Sequence, residues 1–257
     1  MIGSGTAAEA VGGAAARSAV LEAASAEAGV ISEEVAPVET GNGFTLTAEE
    51  QERIKSAVQR AERQTNAEIV PMIVARSGLY RDAQHWAGLA LALSALTILL
   101  TLETLWLPWG WNASNAAWLV LATALAYIIG ARLGTLGPII HLFTSTERMR
   151  HKVRLRAERG FAQHAISQTR ERTGVLIMLS ILERQIYVLP DRPLAQQVPM
   201  ERWSQIVQAA VERLKNQDIA GGLSEGIEQC GRLLAEVCPV RCGDNPDELP
   251  NQLIQEP

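Results

Sequence analysis

The chain is poor in the residues that build catalytic and metal centres: three Cys and four His among 257 residues, with aromatics at only 5%. His85, His141, His151 and His164 show no zinc-ligand spacing. Cys238-Pro-Val-Arg-Cys242 is the only close cysteine pair, and its neighbourhood offers no two further ligands, so free thiols in a reducing compartment are expected. Gly222-Leu-Ser-Glu-Gly226 has the pattern of a nucleophile elbow, but the segment before it is helical and no histidine follows it. A basic surplus is also lacking: 23 Lys and Arg against 28 Asp and Glu give a net charge of −5, which argues against nucleic acid as a partner. Finally, residues 1–43 hold no aromatic residue and no charged segment leading into an apolar one, so they are not a secretory signal. Rich in Ala, Gly, Glu and Ser, they have too little apolar surface to offset ordering entropy and are expected to be a disordered tail.

What the chain does have is two long apolar runs, 86–102 and 116–131, separated by Glu103-Thr-Leu-Trp-Leu-Pro-Trp-Gly-Trp-Asn112. With uncharged flanks, either reaches the roughly 20 residues that cross a bilayer. Five of the six tryptophans, Trp86, Trp106, Trp109, Trp111 and Trp118, lie in or beside them, as indoles do at headgroup level. No Asp, Glu or Lys lies deep inside either run, which argues against transport or proton relay. The connector carries no Lys or Arg, whereas Arg76, Arg81, Arg132 and the row Arg148, Arg150, Lys152, Arg154 and Arg156 flank the pair. The positive-inside rule then places both termini in the cytoplasm. Residues 83–144 are expected to form a transmembrane helical hairpin. Ala126, Gly130 and Gly134 on one helix, with Gly88, Ala92 and Ala95 on the other, offer flat strips for close approach, within the hairpin or between two chains.

Ordered soluble structure is expected on both sides of the hairpin, in 44–82 and 145–242, followed by a polar tail over 243–257. Thr47 and Glu50 form a capping box for a helix to about Gln64. Residues 67–75 read as a strand, with Pro71 placing it at an edge or bulge. A charged helix over 146–172 leads to strands at 174–180 and 185–189, and then to two amphipathic helices, the first centred on Trp203. A lone strand before the hairpin is unstable, so it must pair with those after it. The expected fold is α/β, a small mixed sheet sandwiched by helices, with the hairpin inserted between the first and second strands. The first pair is parallel and the third strand returns antiparallel.

Six short stretches resemble one family. Thr65-Asn-Ala-Glu-Ile69, Arg172-Thr-Gly-Val-Leu176, Glu183-Arg184, Asp191, Trp203 and Asn245-Pro-Asp-Glu-Leu-Pro-Asn251 are similar, in that order, to the TPM domain. That family includes thylakoid lumen proteins of photosystem II repair and many bacterial membrane proteins. The resemblance runs over about 44–253 and is closest to bacterial members with a membrane hairpin inside the domain. It implies an α/β sandwich in a bacterial cytoplasmic membrane, with a role in membrane-protein assembly, repair or quality control. Some plant members are described as metal-dependent acid phosphatases. Here Pro193 follows Asp191-Arg192 where many relatives carry Gly, and proline excludes a positive φ at that point.

The strand order places Glu68, Thr173 and Asp191 at one edge of the sheet and Glu183 at the opposite edge. Glu68, Glu183 and Asp191 are the candidate metal ligands, since carboxylates at strand ends hold hard cations such as calcium or magnesium through oxygen. The competing reading is that they cap strands and pair with Arg172, Arg184 or Arg192. The row from Arg148 to Arg156 is both a topogenic signal and a candidate contact for anionic lipid. With no complete catalytic constellation, the expectation is a non-enzymatic, membrane-anchored module that binds protein partners and needs no cofactor. A divalent-metal-dependent phosphatase is the alternative.

Overall fold

The computed structural model describes residues 31–34, 46–106, 113–216, 218–240 and 248–256. They fall into two compact units: residues up to Ser77 together with those from Val153 onward, and Gly78–Lys152.

The first unit is built on a mixed sheet of five strands: β1 (Ile31–Glu34), β2 (Ile69–Val74), β3 (Val175–Ser180), β4 (Gln185–Pro190) and β5 (Ile254–Glu256), in the order β1-β4-β3-β2-β5. The strands β2, β3 and β4 are those expected from the apolar runs. β2 and β3 pair in parallel from Ile69↔Val175 to Val74↔Ser180, and β4 returns antiparallel. The two outer strands were not foreseen. Ile31–Glu34 lies in the segment expected to be a disordered tail, yet it pairs with β4, and Ile254–Glu256 in the polar tail pairs with Met72, Ile73 and Val74. Each covers an edge whose N–H and C=O groups would otherwise lack partners. Pro71 sits one residue before the β5 pairing begins, where the strand has no need of a donor on that side.

All six residues of β2, β3 and β4 are buried, because helices cover both faces. On one face α1 (Ala48–Glu62), α7 (Met200–Leu214) and α8 (Ile219–Val237) pack over Ile69, Ile73, Ile177 and Val188, with Trp203 fully buried among them. On the other, Val153 and Ala157 of α5 (Thr146–Gln163) and Ile166 cover Val70, Met72, Leu176, Met178 and Tyr187. Each large side chain so buried contributes about 1.5–3 kcal/mol. The Thr47–Glu50 capping box opens α1 as the sequence indicates.

The helix expected over 146–172 ends earlier. Ala165 adopts φ 53°, stopping α5, and a 3-10 turn (Ile166–Gln168) follows. The apolar rhythm continues because Ile166 and Thr169 are buried through that turn. The short helix α6 (Arg192–Gln197) takes Asp191 as its N-cap and Pro193 in its first turn, where proline's fixed φ fits and its missing N–H is not needed.

The second unit holds α2 (Arg81–Trp106), α3 (Ala113–Leu133) and α4 (Gly137–Phe143). The first two occupy the expected place between the strands β2 and β3. Over Arg81–Leu102 and Ala116–Leu133 both are long and apolar enough to cross a membrane. Their facing strips are used within the hairpin. A Cβ on Gly130 would lie 2.8 Å from the Ala87 carbonyl oxygen, and one on Gly134 would lie 2.7 Å from the Gln84 Cα. Gly88 faces Tyr127 in the same way, and the Tyr127 hydroxyl lies 2.9 Å from Nδ1 of His85.

Candidate functional site

Register brings Glu68 and Asp191 to the same end of the sheet, since Ile69 pairs with Val175 and Val175 with Pro190. Both carboxylates and Thr173 are buried, at 5, 7 and 6% exposure. The backbone ties this end together: Val175 N donates to the Glu68 carbonyl and Asp191 N to the Gly174 carbonyl, each at 2.9 Å. Thr173 Oγ1 donates to the Asn66 carbonyl at 3.2 Å. Gly174 cannot carry a side chain, because a Cβ would lie 2.4 Å from the Ile166 carbonyl oxygen.

The two carboxylates differ in their partners. Glu68 Oε1 accepts from Glu248 N at 3.3 Å, and the Glu248 side chain in turn accepts from Arg170 N at 2.7 Å. Asp191 Oδ1 accepts from Arg192 N at 2.7 Å, while its Oδ2 is buried without a hydrogen-bond partner. The partnerless Asp191 oxygen thus lies at the sheet end that also carries buried Glu68, with β3 between their two strands. Among the described residues, however, no group of three or more His, Cys, Asp or Glu is placed to hold a metal ion, so two carboxylates alone do not fit a divalent site.

Glu183 is not brought to this end. It sits in the turn after β3, at the far end of strands about 20 Å long. Its carboxylate, 1% exposed, accepts from Ser77 N at 2.9 Å and from Ser180 Oγ, and the two serine hydroxyls lie 2.7 Å apart. Arg184, next in the chain, adopts φ 54° to close the turn. Glu183 thus closes a polar clamp at the point where the chain leaves β2.

The basic row divides on folding. Residues two apart stand about 200° apart on a helix, so Arg148, Lys152 and Arg156 share one side of α5 and Arg150 and Arg154 another. Arg148 pairs with Asp82 at 3.1 Å, Lys152 lies 4.0 Å over the Tyr80 ring, and Arg154 pairs with Glu158 at 2.8 Å. The Arg156 side chain is only 16% exposed and is held by Glu256 of β5, whose other oxygen lies 3.2 Å from His164 Nε2. Arg156 is therefore not available to lipid as the single row implied. No local signal in the sequence pointed to this cluster, whose members come from opposite ends of the domain.

Trp86 and Trp118, expected at the membrane interface, are 58 and 70% exposed. Trp106 is the last residue of α2, and Trp109 and Trp111 lie outside the described residues. The elbow-like Gly222-Leu-Ser-Glu-Gly226 lies inside α8, where Gly222 and Gly226 admit Leu214 and Ala210 of α7. Its Ser224 is buried, and its hydroxyl has no hydrogen-bond partner among the described residues. Burial pushes the Cys230 thiol well above its usual range, which makes it inert.

Comparison with known proteins gives two likenesses. Residues 139–233 match the TPM domain family. The fold is similar to the NMR structure of the BA42 protein from the psychrophilic bacterium Bizionia argentinensis, with a TM-score of 0.51 and 19% identity over 84% of this chain and 99% of that one. Among curated proteins none matches this sequence.

Proposed function

We propose, for a chain that carries a TPM domain over residues 139–233, that it is a membrane-anchored, non-enzymatic module binding protein partners at the cytoplasmic face, in membrane-protein assembly or quality control. The observation that carries this reading is the placement of the hairpin. Two apolar helices whose candidate spans are only 17 and 6% buried lie between β2 and β3, which are adjacent strands of one sheet. Both ends of the hairpin must therefore emerge on the side where that sheet assembles. Arginines at the base of the hairpin favour the cytoplasm as that side.

Such a connection makes the hairpin more than a tether: whatever contacts the two helices in lipid is covalently continuous with paired strands. The experiment is isolation of the full-length chain from native membranes after mild cross-linking. One stoichiometric membrane-protein partner, lost when the exposed faces of α2 and α3 are altered, is the expected result. Failure to recover one, combined with phosphate release from a model ester, would reverse the reading.

The phosphatase alternative rests on a specific feature, the partnerless Asp191 Oδ2 at the sheet end that also carries buried Glu68. It requires phosphate release with calcium, magnesium or manganese that disappears in Asp191→Asn.

A further inference from the structure

We infer that α4 is an interfacial foot, lying in the headgroup layer of an anionic leaflet with Leu136, Leu142 and Phe143 in lipid and Arg132, Arg148 and Arg150 against lipid phosphates. This rests on the reading that α2 and α3 span the membrane, and it names what the base of the hairpin binds. Leu142 is 77% exposed, more than Trp118 or Val120 at 70%, although it lies nine residues beyond the Leu133 at which the second candidate span ends. Leu136 and Phe143 are 51 and 38% exposed beside it. No sequence signal of a span covers these residues, and an exposed apolar cluster of this kind calls for a covering surface.

Depth follows from the packing. Gly134, just past the end of α3, lies against Gln84 Cα and Ala87 Cβ, which sets the end of the second span level with the first turn of α2. The seven residues of α4 begin at Gly137 and span about 10 Å, so they stay within a couple of helical turns of the hydrocarbon boundary. Ile140 is 5% exposed, and α4 packs against α2, which leaves Leu136, Leu142 and Phe143 outward. Trp86, 58% exposed about a turn into α2, is at the height where indoles favour the headgroup layer.

Charge selects the lipid. Arg81, Arg132, Arg148 and Arg150 are all exposed around this base, against Asp82 and Glu147 as the nearby acids, and Asp82 already engages Arg148. Apolar side chains framed by arginines match an anionic leaflet, where an interfacial helix gains both apolar burial and phosphate contact.

The test uses the full chain with Cys238→Ser and Cys242→Ser, reconstituted in vesicles of phosphatidylglycerol or of phosphatidylcholine. A fluorophore is attached in turn at Leu142→Cys, Phe143→Cys and Leu125→Cys. Quenching of the first two by lipids with a nitroxide near the headgroup, and of the third by lipids with one deep in the acyl chain, is expected. Adding Arg132→Gln and Arg150→Gln should lower the inserted-to-free ratio at position 142 by about twenty-five-fold in phosphatidylglycerol, at roughly fivefold per charge, and leave it unchanged in phosphatidylcholine. Probes at 142 and 143 that stay in water while 125 is quenched would overturn the foot but keep the spans. Absence of deep quenching at 125 would remove the spanning reading itself. Shielding at 142 without lipid quenching would assign the surface to another copy of the chain and likewise overturn the proposal, as would an arginine effect identical in both vesicle types.

Discussion

The backbone amide of Ser77 donates to the Glu183 carboxylate at 2.9 Å across 106 residues of sequence. Ser180 Oγ donates to the same carboxylate, and the hydroxyls of Ser77 and Ser180 complete the set at 2.7 Å. The segment leaving β2 is thereby pinned to the turn between β3 and β4. Glu183→Ala leaves buried donors without an acceptor and is expected to cost about 2–3 kcal/mol, against roughly 1 kcal/mol for Glu183→Gln. Denaturant unfolding of the full chain in micelles gives the magnitude, and hydrogen exchange at Ser77 gives the location. An unchanged exchange rate at Ser77 in Glu183→Ala would discard the clamp.

The hairpin offers a second test. At Gly130 and Gly134 an added Cβ meets backbone, the Ala87 carbonyl oxygen and the Gln84 Cα, and backbone cannot rotate away. Gly130→Ala and Gly134→Ala should each destabilise the helix pair by about 1–3 kcal/mol. Leu125→Ala, at a residue 56% exposed in the chain alone, should leave the pair intact. Thermal unfolding in micelles separates the two outcomes; equal midpoints would mean that the glycines do not set the helix spacing.

Legibility in the sequence followed the range of the interactions. The strands β2, β3 and β4 could be read because each is a short run of β-branched and apolar residues, and such runs fit a sheet covered on both faces. The placement of Glu68, Thr173 and Asp191 at one sheet end followed from strand order alone. Ile31–Glu34 and Ile254–Glu256 could not be read, since four and three residues carry no periodicity and their pairing is decided by an edge far away in sequence. The end of α5 was missed because a single residue, Ala165 at φ 53°, decides it without a glycine to signal it. Pro193 was correctly read as excluding a positive φ, but its positive use, starting α6 behind the Asp191 cap, was not anticipated. The TPM likeness, expected over 44–253, is matched by the family over 139–233.

Cys230 makes stability depend on alkaline pH. Burial without a compensating charge raises its thiol far above the value of an unfolded thiol, about 8.5. The folded chain holds this proton more tightly than the unfolded one, so the contribution is intact below about pH 8.5 and is lost progressively above it. Between about pH 9 and 10 the unfolding free energy should fall by roughly 1 kcal/mol more in the native chain than in Cys230→Ala. Parallel denaturation curves at the two pH values provide the measurement, and identical slopes for both chains would remove Cys230 as the cause.

The pair Arg156 and Glu256 gives the sharpest local prediction, because it joins a helix to a strand of only three residues. Glu256 Oε2 is held by Arg156, its Oε1 lies 3.2 Å from His164, and its carbonyl accepts from Ala75 N at 3.1 Å. The two charged side chains are 16 and 23% exposed, so solvent screens them only in part. Glu256→Gln leaves the Arg156 charge mostly buried beside a neutral amide, and a loss of about 1–3 kcal/mol is expected. Three residues of backbone pairing cannot hold an edge strand against such a loss, so exchange of the amides in 254–256 should accelerate far more than that of β3. Arg156→Met, which removes the buried charge and keeps the apolar stem, should be milder than Glu256→Gln. Were both substitutions to leave exchange in 254–256 unchanged, backbone pairing and the packing of Ile254 would suffice to hold β5 on the sheet.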